Sequence, residues 1–321
     1  MARALVIGGT MFIGRALVDQ LLARGDAVTI MHRGSGTPWG TRVGEIACDR
    51  NDIAGVRSAL DGKQFDVVYD NVFDWTRGTS AAQVVAAATA VKGLRRYVFT
   101  SSVAAYPSGG PYSEDAPLVP SDYPNSYGAQ KADTERALFA LGLPVSTVRP
   151  SFVYGDNNPF DRESFFWDRI VAGRPVIIPG DGLTTLQFVN AKDVARASIL
   201  ASETEIAAGH AYNLANYPAV TQTEFVRTLA RAAGKDVDLV HVSRERIKEL
   251  GGGVMTPPLY FGAYLDVPPI TVRADRVRDE LGLDLTPLED GFRETFEWYR
   301  KQQRPNVDYS FDDKLLGRKI A

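Results

Sequence analysis

The stretch ALVIGGTMFIGRALVDQLLARGDAVTIMH, residues 4–32, decides the fold. It holds a short apolar run, a glycine-rich turn, an amphipathic stretch with Leu17 and Leu21 four apart, a stop at Gly25 and a second apolar run. That order reads as strand, helix, strand, one βαβ unit. A strand ending in glycine before a helix aims backbone N–H groups and the positive end of the helix dipole at a pyrophosphate. Gly8 allows the tight turn and Gly14 the close packing of helix on strand. Met11 stands where a middle glycine ordinarily lets the backbone approach phosphates. The side chain is tolerable there if it points away, which leaves the pyrophosphate to backbone N–H groups near Phe12 and Ile13.

The alternation continues outward. GEIACD, FDVVYDNV, RYVFTSS and VSTVRP read as further strands, with DIAGVRSAL, TSAAQVVAAATAV and YGAQKADTERALFAL as the helices between them. The series predicts an α/β, Rossmann-type doubly wound parallel sheet. After Ser102, PSGGPYSEDAPLVPSDYPNS is too long and irregular for an ordinary connection and reads as a functional loop. Beyond Pro150 the chain turns loop-like and rich in Gly, Pro and aromatics, with TQTEFVRTLARAAG as a helix whose Thr221 and Glu224 have capping-box spacing. The expected division is a dinucleotide-binding domain over 1–150, with about 185–215 returning to it, and a smaller C-terminal substrate-binding domain over 151–184 and 216–321.

Composition bounds the function. The 321 residues are 45% hydrophobic and 23% charged, with a net charge of -3. That balance offers no global attraction for nucleic acid or anionic membrane and points to a small-molecule partner. Cys48 is the single cysteine and cannot form an internal disulfide; His32, His210 and His241 have no metal-ligand spacing. With no secretory leader and no run of about eighteen apolar residues, the expectation is a cytoplasmic, metal-free protein.

Selectivity for the dinucleotide is read at the end of the second strand. An NAD site places an acid there for the ribose 2′-hydroxyl, but this chain has His32 followed by Arg33, whose guanidinium suits a 2′-phosphate. NADP(H) is therefore expected ahead of NAD(H). Asp49 can meet the adenine amine or cap the next helix.

Ser102 ends a strand, Tyr127 opens a helix, and Lys131 lies four residues later on the same helical face. Moving a hydride to or from a secondary alcohol requires moving a proton too. A phenol with pKa about 10 is a poor base at neutral pH, and an ammonium one turn away lowers that value. Ser102 can hold the substrate oxygen against Tyr127.

With these residues in place, the chain resembles the extended or atypical short-chain dehydrogenases/reductases of the NAD-dependent epimerase/dehydratase family. The resemblance is carried by GGTMFIG, TSSVAAY, YGAQK, RPSFVYG, PGDGLTTLQFVNAKDVARA, YNLANYPAVTQTEF and LGLDLTPLEDGFRETFEWY. It implies a Ser102, Tyr127 and Lys131 triad, with Tyr127 and Lys131 also touching cofactor. It places Pro150 through Val153, with Pro150, Phe152 and Val153 as candidates, beside the nicotinamide; the other cofactor candidates are Gly8, Thr10, Met11, Phe12, Ile13, Arg33, Asp49 and Arg50, with Asn71 and Val72 passing the cofactor by backbone contacts. Substrate candidates are Ser102, Val103, Asn157, Thr185 and Gln187. The family's dimers map onto segments near 80–92 and 127–141, so a homodimer is expected.

Two departures matter. GDGLTTLQF has Leu186 where sugar-nucleotide epimerases carry an arginine on the diphosphate, and Arg162, Arg169 or Arg273 would have to compensate. The fourth strand reads YDNVFDW in place of HxAA. The function expected is NADP(H)-dependent hydride transfer at a hydroxyl or ketone of a polar, sugar-derived substrate, as epimerase or reductase. The alternative is an RNA-binding or redox-sensing relative without turnover, since chloroplast stem-loop RNA-binding proteins resemble the family but have generally lost the Tyr and Lys pair. Trp75, Trp167, Tyr260, Phe261 and Tyr264 are read as packing, as are Trp298, Tyr299 and Cys48, and the C-terminal tail as a surface segment.

Overall fold

The computed structural model describes residues 1–34, 36–253, 261–262 and 265–317. Tyr260 and Tyr264 lie outside them. The opening stretch forms β1 (Arg3–Ile7), α1 (Phe12–Ala23) and β2 (Ala27–His32), followed by β3 (Gly44–Ala47), α2 (Ile53–Leu60), β4 (Val67–Asp70), α3 (Ala81–Ala90), β5 (Arg96–Thr100) and α4 (Ser126–Phe139). With strands Val145–Pro150 and Ala211–Leu214 these make one seven-stranded parallel sheet. Its order is Ala211–Leu214, Val145–Pro150, β5, β4, β1, β2, β3.

The apolar runs are continuous because both faces of the sheet are covered. Leu5 and Ile7 point into one layer with Met31, Val68, Tyr97 and Phe99 beneath α2, α3 and α4. Ala4 and Val6 point into the other with Leu17, Val18 and Ile30, where Ala195 and Ile199 of α6 (Ala191–Glu203) complete the packing. β1 thus lies between β2 and β4, where the winding direction reverses and a doubly wound sheet opens its crevice.

Helix starts follow local chemistry. Ser80 and Gln83 form a capping box on α3, and Thr221 and Glu224 form the expected one on α7 (Gln222–Ala232). Asp52, not Asp49, caps α2, accepting from the Gly55 N–H at 3.0 Å. Asp49 instead closes a turn by accepting from the Asn51 N–H at 2.9 Å.

Past Pro150 the chain builds an aromatic second core. Tyr154, Phe165, Phe166, Trp167, Phe188, Phe225, Phe261 and Phe292 fill it, with α5 (Glu163–Val171) and α7 packed around them. Trp167 and Phe261 are therefore packing residues, as expected. The tail departs from its surface reading: a short helix at Ser310–Leu315 docks through a buried ion pair, Arg169 Nε to Asp312 Oδ1 at 2.6 Å. The loop after Ser102 contains a strand, Gly109–Tyr112, that pairs in parallel with Ile270–Val272.

Candidate active site

The turn after β1 explains its own sequence. Gly8 has φ +82°, and a Cβ on it would lie 2.2 Å from Val72 Cγ2; a Cβ on Gly14 would lie 2.0 Å from the Gly8 carbonyl oxygen. Met11 has φ -130° and ψ 148°, an extended geometry open to any residue, which is why methionine is accepted; its side chain is 61% exposed. The left-handed position falls on Phe12, φ +44°. That costs on the order of 1–2 kcal/mol, and it is offset by burial of the ring among Val148, Val153, Val189 and Val194. The same cluster joins the turn to Val153, so Phe12 and Val153 come together as cofactor candidates.

The catalytic candidates converge from two elements. A Cβ on Gly128 would sit 2.1 Å from the Ala104 carbonyl oxygen, so a glycine there lets the start of α4 press on the turn at Val103–Ala105. Tyr127 consequently lies on the same side as Ser102, whose Oγ accepts from the Ala104 N–H at 3.1 Å. Burial raises the Tyr127 phenol above its ordinary pKa, against the opposing pull of the Ser102 hydroxyl and the Arg162 charge.

Lys131 departs from the simplest expectation. Its Nζ donates to the Thr100 carbonyl at 2.7 Å, stands 4.6 Å from the Phe99 ring centroid and 5.8 Å from that of Tyr127. Burial lowers its pKa to about 7, against the raising effect of Glu135 one turn on. A second cation, Arg162, adds charge that favours the phenolate, and its Nη1 donates to the Val153 carbonyl at 2.7 Å. Hydrogen bonds on either side of Thr100 and Asn71 lead from the lysine to the end of β1, just ahead of the glycine turn: Thr100 Oγ1 donates to Asn71 Oδ1 at 2.6 Å, and the Asn71 N–H to the Ile7 carbonyl at 3.1 Å.

These residues fit a nicotinamide dinucleotide. The turn brings glycine and the first N–H groups of a helix to the crevice. Buried polar atoms without a partner among the described residues lie where the cofactor candidates cluster: Asn71 Nδ2, and the hydroxyl of Ser151 between Pro150 and Phe152. Ser151 lies inside the Pro150 through Val153 stretch that the resemblance places beside the nicotinamide, although it was not singled out there.

Other candidates sit elsewhere. Arg50 is 4% exposed and turned into the interior, donating to the Gln83 carbonyl at 2.7 Å and paired with Asp70, so its side chain is not offered to a cofactor. Gln187 is 2% exposed with its amide consumed: Nε2 donates to the carbonyls of Asn216 and Val272, and Oε1 accepts from the Val272 N–H at 2.7 Å. It ties strands together and leaves nothing for substrate. Thr185 pairs with Thr221 in a two-residue ladder, while Leu186 is in the aromatic core. Asn157 has φ +61° in the loop ahead of Phe160. Of the compensating cations, Arg169 is committed to Asp312, and Arg273 pairs with Asp275 at 2.9 Å.

Two features were not legible. Trp75, read as packing, is 56% exposed and stacks on Tyr127 with ring centroids 4.8 Å apart, while Phe73 meets the same ring edge-on at 4.7 Å. Trp75 also contacts Phe160 at 5.7 Å, so the loop after β4 bridges the phenol and the second lobe. At the end of β2, Arg33 donates to Asp74 Oδ2 at 3.2 Å, and Arg77 joins Asp74 and Asp49.

Among the described residues no His, Cys, Asp or Glu cluster could hold a metal ion, and no helix is long and apolar enough to cross a membrane. A family model described as NAD dependent epimerase/dehydratase family matches residues 4–215. The chain is 28% identical to the chloroplast stem-loop binding protein of 41 kDa b of Arabidopsis thaliana, over 99% of this chain and 85% of that protein. It is 24% identical to the UDP-N-acetyl-alpha-D-glucosaminuronate decarboxylase of Bacillus cytotoxicus, over 93% and 98% of the two chains. A solved structure of MoeE5 in complex with UDP-glucose and NAD superposes with a TM-score of 0.72 at 26% identity, covering 93% of this chain and 99% of that one. The chain belongs to the NAD dependent epimerase/dehydratase family, and with it to the short-chain dehydrogenase/reductase enzymes.

Proposed function

We propose that this family member is an NADP(H)-dependent enzyme that transfers a hydride at a secondary alcohol or ketone of a polar, sugar-derived substrate. The observation that carries the reading is the convergence of Ser102, Tyr127 and Lys131, with Lys131 tied through Thr100 and Asn71 to the end of β1. Gly8, Thr10, Met11, the N–H groups of Phe12 and Ile13, Arg33, Asn71 and Val72 would hold the dinucleotide. Bound, it supplies reversible hydride acceptance.

Tyr127 moves the proton at the substrate oxygen. A Ser102 hydroxyl turned to the phenolic oxygen would lower the cost of forming phenolate, and Arg162 adds a positive charge from the second lobe. Phe73 and Trp75 keep water from the ring. Lys131, buried and near the neutral range, is poised to gain a proton when negative charge develops beside it, which returns it to the role of an ammonium one turn from the phenol.

The likeness to a stem-loop binding protein makes RNA the competing ligand, and the net charge of -3 opposes it. The assembly proposed is a cytoplasmic homodimer through α3 and α4, with light scattering as its check. The substrate lobe proposed is 151–184 with 216–321.

The test is turnover of a panel of ketoses, aldoses and sugar nucleotides with NADP(H) and NAD(H), followed by nicotinamide fluorescence and by isotope exchange at the carbinol carbon. Exchange with at least one sugar, lost in Tyr127→Phe, supports the reading. Tight RNA binding with no exchange in any combination overturns it.

A further inference from the structure

The loop after β4 carries a group that the proposed chemistry does not use. β2 and β4 flank β1, and Met31 and Asp70 both register against Ile7, so the residues following them emerge on either side of the Gly8 turn. Arg33 follows β2. Arg77 comes from the loop after β4, and the two side chains meet over one carboxylate: Arg33 Nη1 donates to Asp74 Oδ2 at 3.2 Å, and Arg77 Nη2 to the same oxygen at 2.7 Å. Their donor nitrogens are therefore no more than about 6 Å apart.

Asp74 behaves as a fixed post. It is 8% exposed, and its Oδ1 accepts from the backbone N–H groups of Thr76 at 3.0 Å and Arg77 at 2.9 Å. Its own N–H donates to Thr79 Oγ1 at 3.0 Å, and the Thr79 N–H donates to Gln130 Oε1 on α4, the residue before Lys131. These donors hold its carboxyl at about 2, so it stays anionic across the physiological range. The arginines are the solvent-facing part, with side chains 65% and 48% exposed. Asp49 is engaged as well, accepting from Arg77 Nη2 at 2.8 Å and from the Asn51 N–H. Both acids at this edge are thus occupied by donors of the chain: Arg77 spends Nε and Nη2 on them and Arg33 only Nη1, so Arg77 Nη1 and the Arg33 Nε and Nη2 are the donors not spent on these acids.

The Arg33 bond to Asp74 is a single 3.2 Å contact from a side chain 65% exposed, and a pair of that kind contributes roughly 0–1 kcal/mol, so folding gives a weak reason for drawing a second arginine to a carboxylate Arg77 already holds. Two neighbouring guanidiniums with donors to spare match a phosphomonoester, which can accept from both at once.

Building on the NADP(H) reading above, we propose that Arg77 is the second arm of a two-arginine grip on the ribose 2′-phosphate, with Arg33 the first arm and Asp74 the residue that positions both. On binding, Arg33 exchanges its single bond to Asp74 for the phosphate. Arg77 turns one donor outward while its Nε stays on Asp74, at 2.9 Å.

The test uses the full chain and two probes that differ only in the phosphate, 2′,5′-ADP and 5′-AMP, titrated calorimetrically against wild type, Arg33→Ala, Arg77→Ala and Arg77→Lys. Wild type is expected to bind 2′,5′-ADP at least tenfold more tightly than 5′-AMP. Arg77→Ala should cut that ratio about tenfold with 5′-AMP affinity held within twofold, and Arg77→Lys should restore part of it. An unchanged ratio in Arg77→Ala, or equal loss of both probes, overturns the role of Arg77. If Arg33→Ala alone removes the preference, the NADP(H) reading stands and the second arm falls. If wild type binds the two probes equally, both fall together.

Discussion

Replacing Lys131 by methionine tests the electrostatics of the site without needing a substrate. The ammonium is 4% exposed, has one carbonyl partner at 2.7 Å and a pKa lowered from 10.5 to about 7. In the unfolded chain the group holds its proton up to about pH 10.5, whereas in the folded chain it gives it up near 7. Between those values the unfolded state binds more protons, and stability rises with pH. The shift of about 3.5 units corresponds to about 5 kcal/mol of unfavourable charge burial, fully present below pH 7 and relieved as pH climbs toward 10.5. Methionine carries no such penalty, although it forfeits the bond to Thr100, worth about 1–3 kcal/mol at any pH. Lys131→Met should therefore exceed wild type in stability below pH 7, and the gap should narrow by about 3 kcal/mol between pH 7 and 9. Urea denaturation of both proteins at closely spaced pH values measures it. Parallel stability curves would refute the claim that this lysine is a strained charge, and with it the account of why it is ready to take a proton.

Four shorter expectations accompany it. Tyr127→Phe should abolish hydride transfer with NADPH affinity nearly unchanged, measured by nicotinamide fluorescence; undiminished turnover would remove the phenol from the chemistry. Gly8→Ala forces a Cβ toward Val72 at a φ of +82°, so destabilisation of roughly 1–3 kcal/mol and loss of dinucleotide binding are expected by thermal melting and titration. Glu163 is buried, with its carboxyl raised to about 7 and held by Asn158. A raised carboxyl binds more protons folded than unfolded, so its penalty is absent below about pH 4.5 and complete above 7. Glu163→Gln should gain about 3 kcal/mol at pH 8 and little at pH 4, and equal gains at both would contradict the burial argument. Because Trp75 stacks on Tyr127, ionising the phenol at high pH should quench Trp75 emission in wild type; the quench should be missing in Tyr127→Phe and Trp75→Phe, and its persistence in either would place the stack elsewhere.

Much of this was readable in one dimension because it is local. Strands buried on both faces show as apolar runs, amphipathic helices as spaced leucines, and a Tyr and a Lys four apart share a helical face whatever surrounds them. AVTIMH and VSTVRP became the strands Ala27–His32 and Val145–Pro150. Even the puzzle of Met11 has a local answer, since the left-handed residue is Phe12.

What the chain order alone could not settle is which polar side chains spend their hydrogen bonds on the protein. Arg50 and Gln187 stand beside cofactor and substrate candidates in sequence, yet Asp70 from β4 and Val272, 85 residues away, claim them. Arg33, Asp74 and Arg77 come from two strand ends that only the parallel register around β1 brings to one edge. Trp75 meets Tyr127 because Gly128 lets α4 close on the turn after β5. Periodicity records how a segment meets the core, so the sequence determined the sheet, the glycine turn after β1 and the helix that carries Tyr127 and Lys131. Partner choice at long range depends on how those elements pack, and the tertiary structure decided which donors and rings remain for a ligand.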